Sequence, residues 1–202
     1  MSEPKRPFLV LAIAAVAAAA AAFFARDALV PSVAPTTPAA GAAQGVAPKR
    51  KAPPGPLLVL ARDGTRRDLA SRNGKGQILH FWATWCPPCR EEMPELVKFV
   101  KDTKDDPRVE FLAVSVDEDW KTADAWLEQA GISGLPVALD PKGPIAGRYG
   151  ATGYPETFFI SPSGEIVQHF VGAAEWSRPE LRAFAADFSR ASSSASSTSA
   201  AR

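Results

Sequence analysis

Phe81-Trp82-Ala83-Thr84-Trp85-Cys86-Pro87-Pro88-Cys89-Arg90 decides how this chain folds. It holds the only two cysteines in 202 residues, so any thiol chemistry of the chain is confined to it. An apolar, aromatic run from Ile78 to Trp85 leads in, and a helix-like pattern from Arg90 to Lys104 leads out. A short, nearly continuous apolar run is the pattern of a central strand buried on both faces. A Cys-x-x-Cys turn between such a strand and a helix is a redox pattern. Cys86 then stands at a helix N-terminus, where unpaired backbone N–H groups and the helix dipole favour an anion. That placement lowers a thiol pKa from about 8.5 toward about 3.5–7.5, and the thiolate is the nucleophile. Cys86 is expected to attack a substrate disulfide, and Cys89, one helical turn further in, to resolve the mixed disulfide. Pro87 and Pro88 remove two N–H groups and stiffen the turn, which limits the donors left for the Cys86 thiolate.

Other uses of the pair fit less well. A c-type haem site needs His directly after the second cysteine, and this chain has Arg90. Zinc needs four ligands, and only His80 and His169 stand outside the pair. Two cysteines exclude a disulfide-stapled mini-domain. A purely structural disulfide is the plain alternative, and the strand-to-helix junction argues against it. Soft thiolates also suit Cu(I), with His80 as a third ligand, but no Met-rich stretch accompanies them. No cofactor is expected beyond the Cys86–Cys89 disulfide itself.

Outward from this block the chain alternates strands and helices. Leu57 to Leu60 followed by Asp63-Gly64-Thr65 reads as a strand and hairpin turn. The helix after the cysteines carries Met93, Leu96, Val97 and Val100 on one face, with Pro94 inside it as a kink. Val109 to Val116 is a second buried strand, and Thr122 to Ala130 a short helix with Ala123, Trp126, Leu127 and Ala130 inward. Val137 to Leu139 is a minor strand before the turn at Asp140-Pro141-Lys142-Gly143. Thr157 to Ile160 and Ile166 to Val171 flank Ser163-Gly164 as an antiparallel hairpin. Pro179 to Phe188 closes the domain as an amphipathic helix with Leu181, Phe184, Ala185 and Phe188 on one side. The expected fold class is α/β, a mixed central sheet flanked by helices in three layers.

The termini differ in composition. Lys5 and Arg6 precede an uncharged run from Phe8 to Ala25, which as a helix would be about 27 Å long, close to the hydrocarbon core of a bilayer. Residues 1–25 therefore read as a signal-anchor with a cytoplasmic N-terminus, or as a signal peptide cut near Ala20 or Ala22. Either reading places the domain outside the cytoplasm. Residues 26–56, rich in Ala, Pro and Gly, read as a flexible linker, with Lys49-Arg50-Lys51 as a solubilising patch. Residues 57–190 are the domain, and the Ser/Ala-rich stretch 191–202 is expected to be disordered. Residues 1–56 carry six Lys/Arg against two acidic residues, whereas 57–190 carry sixteen against twenty. The folded part is thus mildly acidic, without the basic footprint of a nucleic-acid binder.

With these residues in view, the segment 57–190 resembles thioredoxin-like proteins, and more closely their membrane-anchored extracytoplasmic branch, the TlpA/ResA/CcmG type. Phe81 to Cys89 is similar to that family's active-site block, and Pro94 to the proline of its active-site helix. Gly153-Tyr154-Pro155-Glu156-Thr157-Phe158 is similar to its second signature, in which the proline is cis. The excess between the two blocks, roughly Trp120 to Gly147, looks like the helix-strand insert of the branch, and the hairpin at 57–65 fits a thioredoxin-like fold with an N-terminal extension.

The resemblance implies several roles. Pro155 would pack beside Cys86, offering neither an N–H nor a metal-ligating atom, and leave the Tyr154 backbone free to pair with an extended substrate. Trp85, Pro87 and Pro88 would contribute to the same substrate-binding rim, with Trp82 packed behind it. Glu92, one turn after Cys89, matches an acidic residue of the branch; it is either a proton partner for Cys89 or a solvated helix glutamate. Glu156 would tune a local pKa or cap its loop. His80 stands where thioredoxins carry a buried Asp and this branch often an Asn. It is either a proton relay behind the dithiol or a satisfied core residue. His169 looks like a surface strand residue. The implied activity is thiol-disulfide exchange on the periplasmic side of a bacterial inner membrane, reducing disulfides of client proteins such as apocytochrome c or a copper-site protein. Electrons would come from a membrane dithiol donor. An oxidant or isomerase running the same dithiol in the other direction, and a Cu(I) chaperone, are the competing functions.

Overall fold

A computed structural model describes the backbone of residues 50–103 and 105–199, with side chains as far as residue 192. The expected signal-anchor at 1–25, the linker up to residue 49 and the last three residues of the tail lie outside the described residues. Among those described, no helix is long and apolar enough to cross a membrane.

The strands are β1 (Arg50–Lys51), β2 (Leu58–Leu60), β3 (Arg66–Asp68), β4 (Gly76–Trp82), β5 (Val109–Ser115), β6 (Val137–Leu139), β7 (Glu156–Ile160) and β8 (Glu165–Val171). The helices are α1 (Pro87–Thr103), α2 (Trp120–Gln129), α3 (Pro144–Tyr149) and α4 (Pro179–Ser199). The strands form one mixed sheet in the order β1-β8-β7-β4-β5-β6-β2-β3. β4, β5 and β6 run parallel, whereas β7 is antiparallel to both β4 and β8, and β2 to both β6 and β3.

Every residue of β4 is buried, the polar Gln77 and His80 included, as expected for a strand covered on both faces. On one face of the sheet, His80 meets Glu92 of α1, and Phe159, paired with Ile78, packs edge-on against Phe184 and Phe188 of α4. On the other face, Phe81 and Phe158 pack against Tyr149 of α3. The result is the expected helix–sheet–helix sandwich. α1 runs on through Pro94 and buries Cys89, Glu92, Met93, Leu96, Phe99 and Val100. α2 starts at Asp119, whose carboxylate accepts the Thr122 N–H at 2.8 Å.

Several boundaries differ from the sequence reading. Arg50–Lys51 is not free linker: it pairs with Ile166 and Glu165 at the edge of β8, and the Ala52 N–H continues the pairing to the Gly164 carbonyl. Arg50 is also committed, donating to the Tyr149 carbonyl and lying 5.7 Å from the centre of the Phe158 ring. A two-residue edge strand leaves no hydrophobic period to read. α3 was not expected either. It is six residues long and starts at Pro144, and its N-terminal N–H groups of Ile145 and Ala146 are taken up by the buried carboxylate of Asp140. Ala130, expected inward, is exposed, because the chain leaves the helix there toward Gly131. α4 extends to Ser199 instead of ending near Phe188, and Ser189 and Ser192 are buried under it.

Candidate redox site

β4 delivers the chain to the centre of the sheet, and the turn at Ala83–Trp85 hands it to α1. Asp117, just past the end of β5, fixes this turn. Its carboxylate accepts from the Thr84 N–H at 3.1 Å, from the Thr84 hydroxyl at 2.8 Å and from the Ser115 hydroxyl at 2.7 Å. Cys86 begins the helical pattern, its carbonyl accepting the Arg90 N–H at 3.2 Å. Cys86 and Cys89 are joined as a disulfide. The Cys89 N–H points at Cys86 Sγ, 3.3 Å away. Pro87 and Pro88 have no N–H, so in this first turn Cys89 supplies the donor that a Cys86 thiolate would meet. Both cysteines are buried, but Cys86 keeps 3% exposure and Cys89 none, so Cys86 is the more accessible sulfur, as attack by Cys86 and resolution by Cys89 require.

The segment facing the disulfide lies 68 residues further along the sequence. The Tyr154–Pro155 peptide is cis, and the Tyr154 carbonyl oxygen lies 3.3 Å from Cys86 Sγ. Trp85 is 64% exposed beside it, its ring edge-on to Tyr154 at 5.9 Å between centroids. Pro87 and Pro88, which follow Cys86 in the chain, are exposed. The surface around Cys86 is thus aromatic and proline-rich, with the Tyr154 carbonyl beside the sulfur. Trp82 is buried beneath it against Trp126.

Behind the disulfide lies a buried polar pair. Glu92 is not solvated: it is 7% exposed, and its Oε2 accepts from the Ala174 N–H at 2.8 Å and the Trp176 Nε1–H at 3.0 Å. Its Oε1 lies 3.4 Å from His80 Nε2. The other His80 nitrogen, Nδ1, is 3.0 Å from the Thr157 hydroxyl. Burial disfavours the charged form of each group. It pushes the Glu92 carboxyl up to about 7, against the two hydrogen bonds that lower it, and the His80 imidazole down to about 3. The imidazole is therefore neutral near pH 7, while Glu92 is poised to take or give a proton there. His80 is thus a core residue that also neighbours the acid.

Glu156 is wholly buried and caps the loop ahead of it. Its Oε1 accepts from the N–H groups of Thr152 and Gly153 at 2.8 and 3.1 Å and from the Thr152 hydroxyl at 3.2 Å. Its Oε2 lies 2.6 Å from His169 Nε2. His169 is therefore not the surface residue its position suggested: it is largely covered and stacked on Phe158 with ring centroids 4.1 Å apart. The signal for it lay in strand alternation, which puts His169 and Glu156 on one face of the β7–β8 hairpin once the register is known. Among the described residues, no group of three or more His, Cys, Asp and Glu side chains is placed to hold a metal ion. A third copper ligand from His80 would have to leave Thr157 and Glu92.

Several known proteins are similar to this chain in sequence or in structure. The chain is 34% identical over 116 residues to the thiol-disulfide oxidoreductase ResA of Bacillus anthracis, which is 57% of this chain and 66% of that protein. It is 36% identical over 118 residues to the ResA of Oceanobacillus iheyensis, covering 58% of this chain and 60% of that one. The alignments thus span less than two thirds of these relatives. Among solved structures, a Chlorobium tepidum chain assigned as thiol:disulfide interchange protein DsbE superposes with a TM-score of 0.58 at 28% identity, over 73% of this chain and 98% of that one. StoA from Bacillus subtilis, 24% identical with a TM-score of 0.56, shares the fold. A family profile, AhpC/TSA, matches residues 46–169, a span that holds both cysteines, Glu92 and the cis-proline loop. On that match, and with a sheet order and helix placement of the thioredoxin-like kind, this chain belongs to the AhpC/TSA family.

Proposed function

We propose that this protein is a thiol-disulfide oxidoreductase that reduces disulfides of client proteins outside the cytoplasm. The observation that carries this reading is the Cys86–Cys89 disulfide at the start of α1, with Cys86 Sγ against the Tyr154 carbonyl beside cis Pro155. In the reduced protein, the Cys86 thiolate attacks one sulfur of a client disulfide, and the other client sulfur leaves as a thiolate. Cys89 then attacks Cys86 Sγ, and the second client sulfur leaves in turn. Two electrons pass to the client and the Cys86–Cys89 disulfide is formed.

Cys89 is buried and must lose its proton before it attacks. Glu92, three residues further along α1 and held near neutrality by burial, is the acceptor assigned to it. His80 stands as a neutral imidazole with its Nε2 3.4 Å from Glu92 Oε1. An extended client segment pairs with the Tyr154 backbone, flanked by Trp85, Pro87 and Pro88. Glu156 holds the loop that presents this edge.

The address and partners rest on the sequence and on family likeness. The positively flanked apolar run Phe8–Ala25 supports export, with the domain tethered at the periplasmic face of a bacterial inner membrane or released there. Relatives named ResA support protein disulfides as substrates. Apocytochrome c is the client class, and a membrane dithiol protein the electron donor, that fit this branch. Replacing Cys86 by Ser is expected to abolish reduction of an insulin-type disulfide, and Cys89→Ser to accumulate mixed disulfides with clients. Full activity in the Cys86→Ser protein would contradict the proposal.

A further inference from the structure

Glu156 and His169 take no part in the thiol exchange, yet they sit directly beneath the segment that faces it. Glu156 opens β7 immediately after Pro155. The hairpin register sets Val171 opposite Glu156 and His169 opposite Phe158, so His169 is a diagonal neighbour of Glu156 on one face. There its Nε2–H reaches Glu156 Oε2 at 2.6 Å, and its ring is fixed by stacking on Phe158. With Oε2 occupied, Oε1 is aimed at the Thr152 and Gly153 N–H groups. On the far side, the Pro155 carbonyl accepts the Gly172 N–H at 2.9 Å. The Tyr154–Pro155 segment hangs between these two anchors, with its Tyr154 carbonyl against Cys86 Sγ. Thr152 and Gly153 are themselves exposed, so the loop is held from below.

We propose that His169 is a positioning residue for the client-docking edge: it fixes the Glu156 carboxylate, which clamps Thr152–Gly153 and sets the Tyr154 carbonyl opposite Cys86. This rests on the reading of Tyr154 as the edge that pairs with the client. A buried carboxylate oxygen without a partner is costly. Loss of the imidazole therefore turns the carboxylate or admits water, and the clamp on the loop loosens. The sulfur chemistry itself is untouched, because His169 contacts neither cysteine nor Glu92.

The test uses full-length His169→Leu and His169→Gln proteins, the latter able to donate one hydrogen bond. In His169→Leu, the Thr152 and Gly153 amides are expected to exchange with solvent at least about fivefold faster, with His169→Gln nearer the wild type. KM for a disulfide-bonded peptide is expected to rise by a similar factor, while kcat and the dithiol potential hold. Unchanged amide exchange in a folded His169→Leu protein would overturn the clamp. Faster exchange with unchanged KM would overturn its role in positioning the client. A wild-type protein that reduces no disulfide would contradict the proposed function, leaving amide exchange to decide the clamp. Should His169→Leu fail to fold, Glu156→Gln, which keeps the shape and weakens the acceptor, is expected to show the same pattern. Its failure to do so would count equally against the clamp.

Discussion

Glu92 and His80 are two ionisable groups that burial pulls in opposite directions, and their opposition is measurable. The folded pKa of Glu92 is raised from 4.5 to about 7, so the stability tied to its neutral form is full below pH 4.5 and lost as pH climbs toward 7. The folded pKa of His80 is lowered from 6.5 to about 3, so its contribution is full above pH 6.5 and lost as pH falls toward 3. Between pH 4.5 and 6.5 the two slopes cancel. Glu92→Gln keeps an acceptor for the Ala174 and Trp176 N–H groups but removes one slope. The variant is expected to lose roughly 2–3 kcal/mol on acidification through that window, where the wild type stays nearly level. Urea unfolding at several pH values measures this, and parallel profiles for the two proteins would contradict the raised Glu92 pKa. At this scale the sequence was informative about kind and silent about partner. Glu92 could be placed on the Cys89 face by helical spacing alone. That its oxygens meet Ala174, Trp176 and His80 depends on contacts more than 80 residues apart in two of the three cases.

Among the elements, α4 shows most clearly where composition misleads. A Ser/Ala-rich stretch reads as low complexity, but alanine is also the strongest helix former, and a helix already docked by Phe184 and Phe188 propagates cheaply into it. Its docking has a specific requirement at the start of β4. A Cβ on Gly76 would stand 2.7 Å from the Phe188 ring and also meet the Ser192 hydroxyl. Gly76→Ala is therefore expected to destabilise the fold by about 1–3 kcal/mol through overpacking, read as a lower urea midpoint with an unchanged slope. A midpoint equal to wild type would show that α4 does not press on β4. Long periodic elements such as β4, α1 and β5 were legible because burial imposes their pattern. β1 and α3 were not, since two and six residues are too few for a period and both are held by capping and edge pairing.

For the whole molecule, the sheet order explains why two short motifs define one site. β7 lies next to β4, so the cis-proline loop at the head of β7 arrives beside the turn at the end of β4. The paired motifs made the fold readable before any contact was known. What stayed hidden were the links that need register, above all His169 to Glu156 and Asp117 to Thr84. A reductase and an oxidant can share this geometry, so the direction in which the dithiol works decides the function. The reduction potential of Cys86–Cys89, measured by equilibration with glutathione or dithiothreitol buffers, decides between them. A value well below about −200 mV is predicted for a protein that reduces client disulfides, and one near about −120 mV, the range of strong disulfide oxidants, would contradict it.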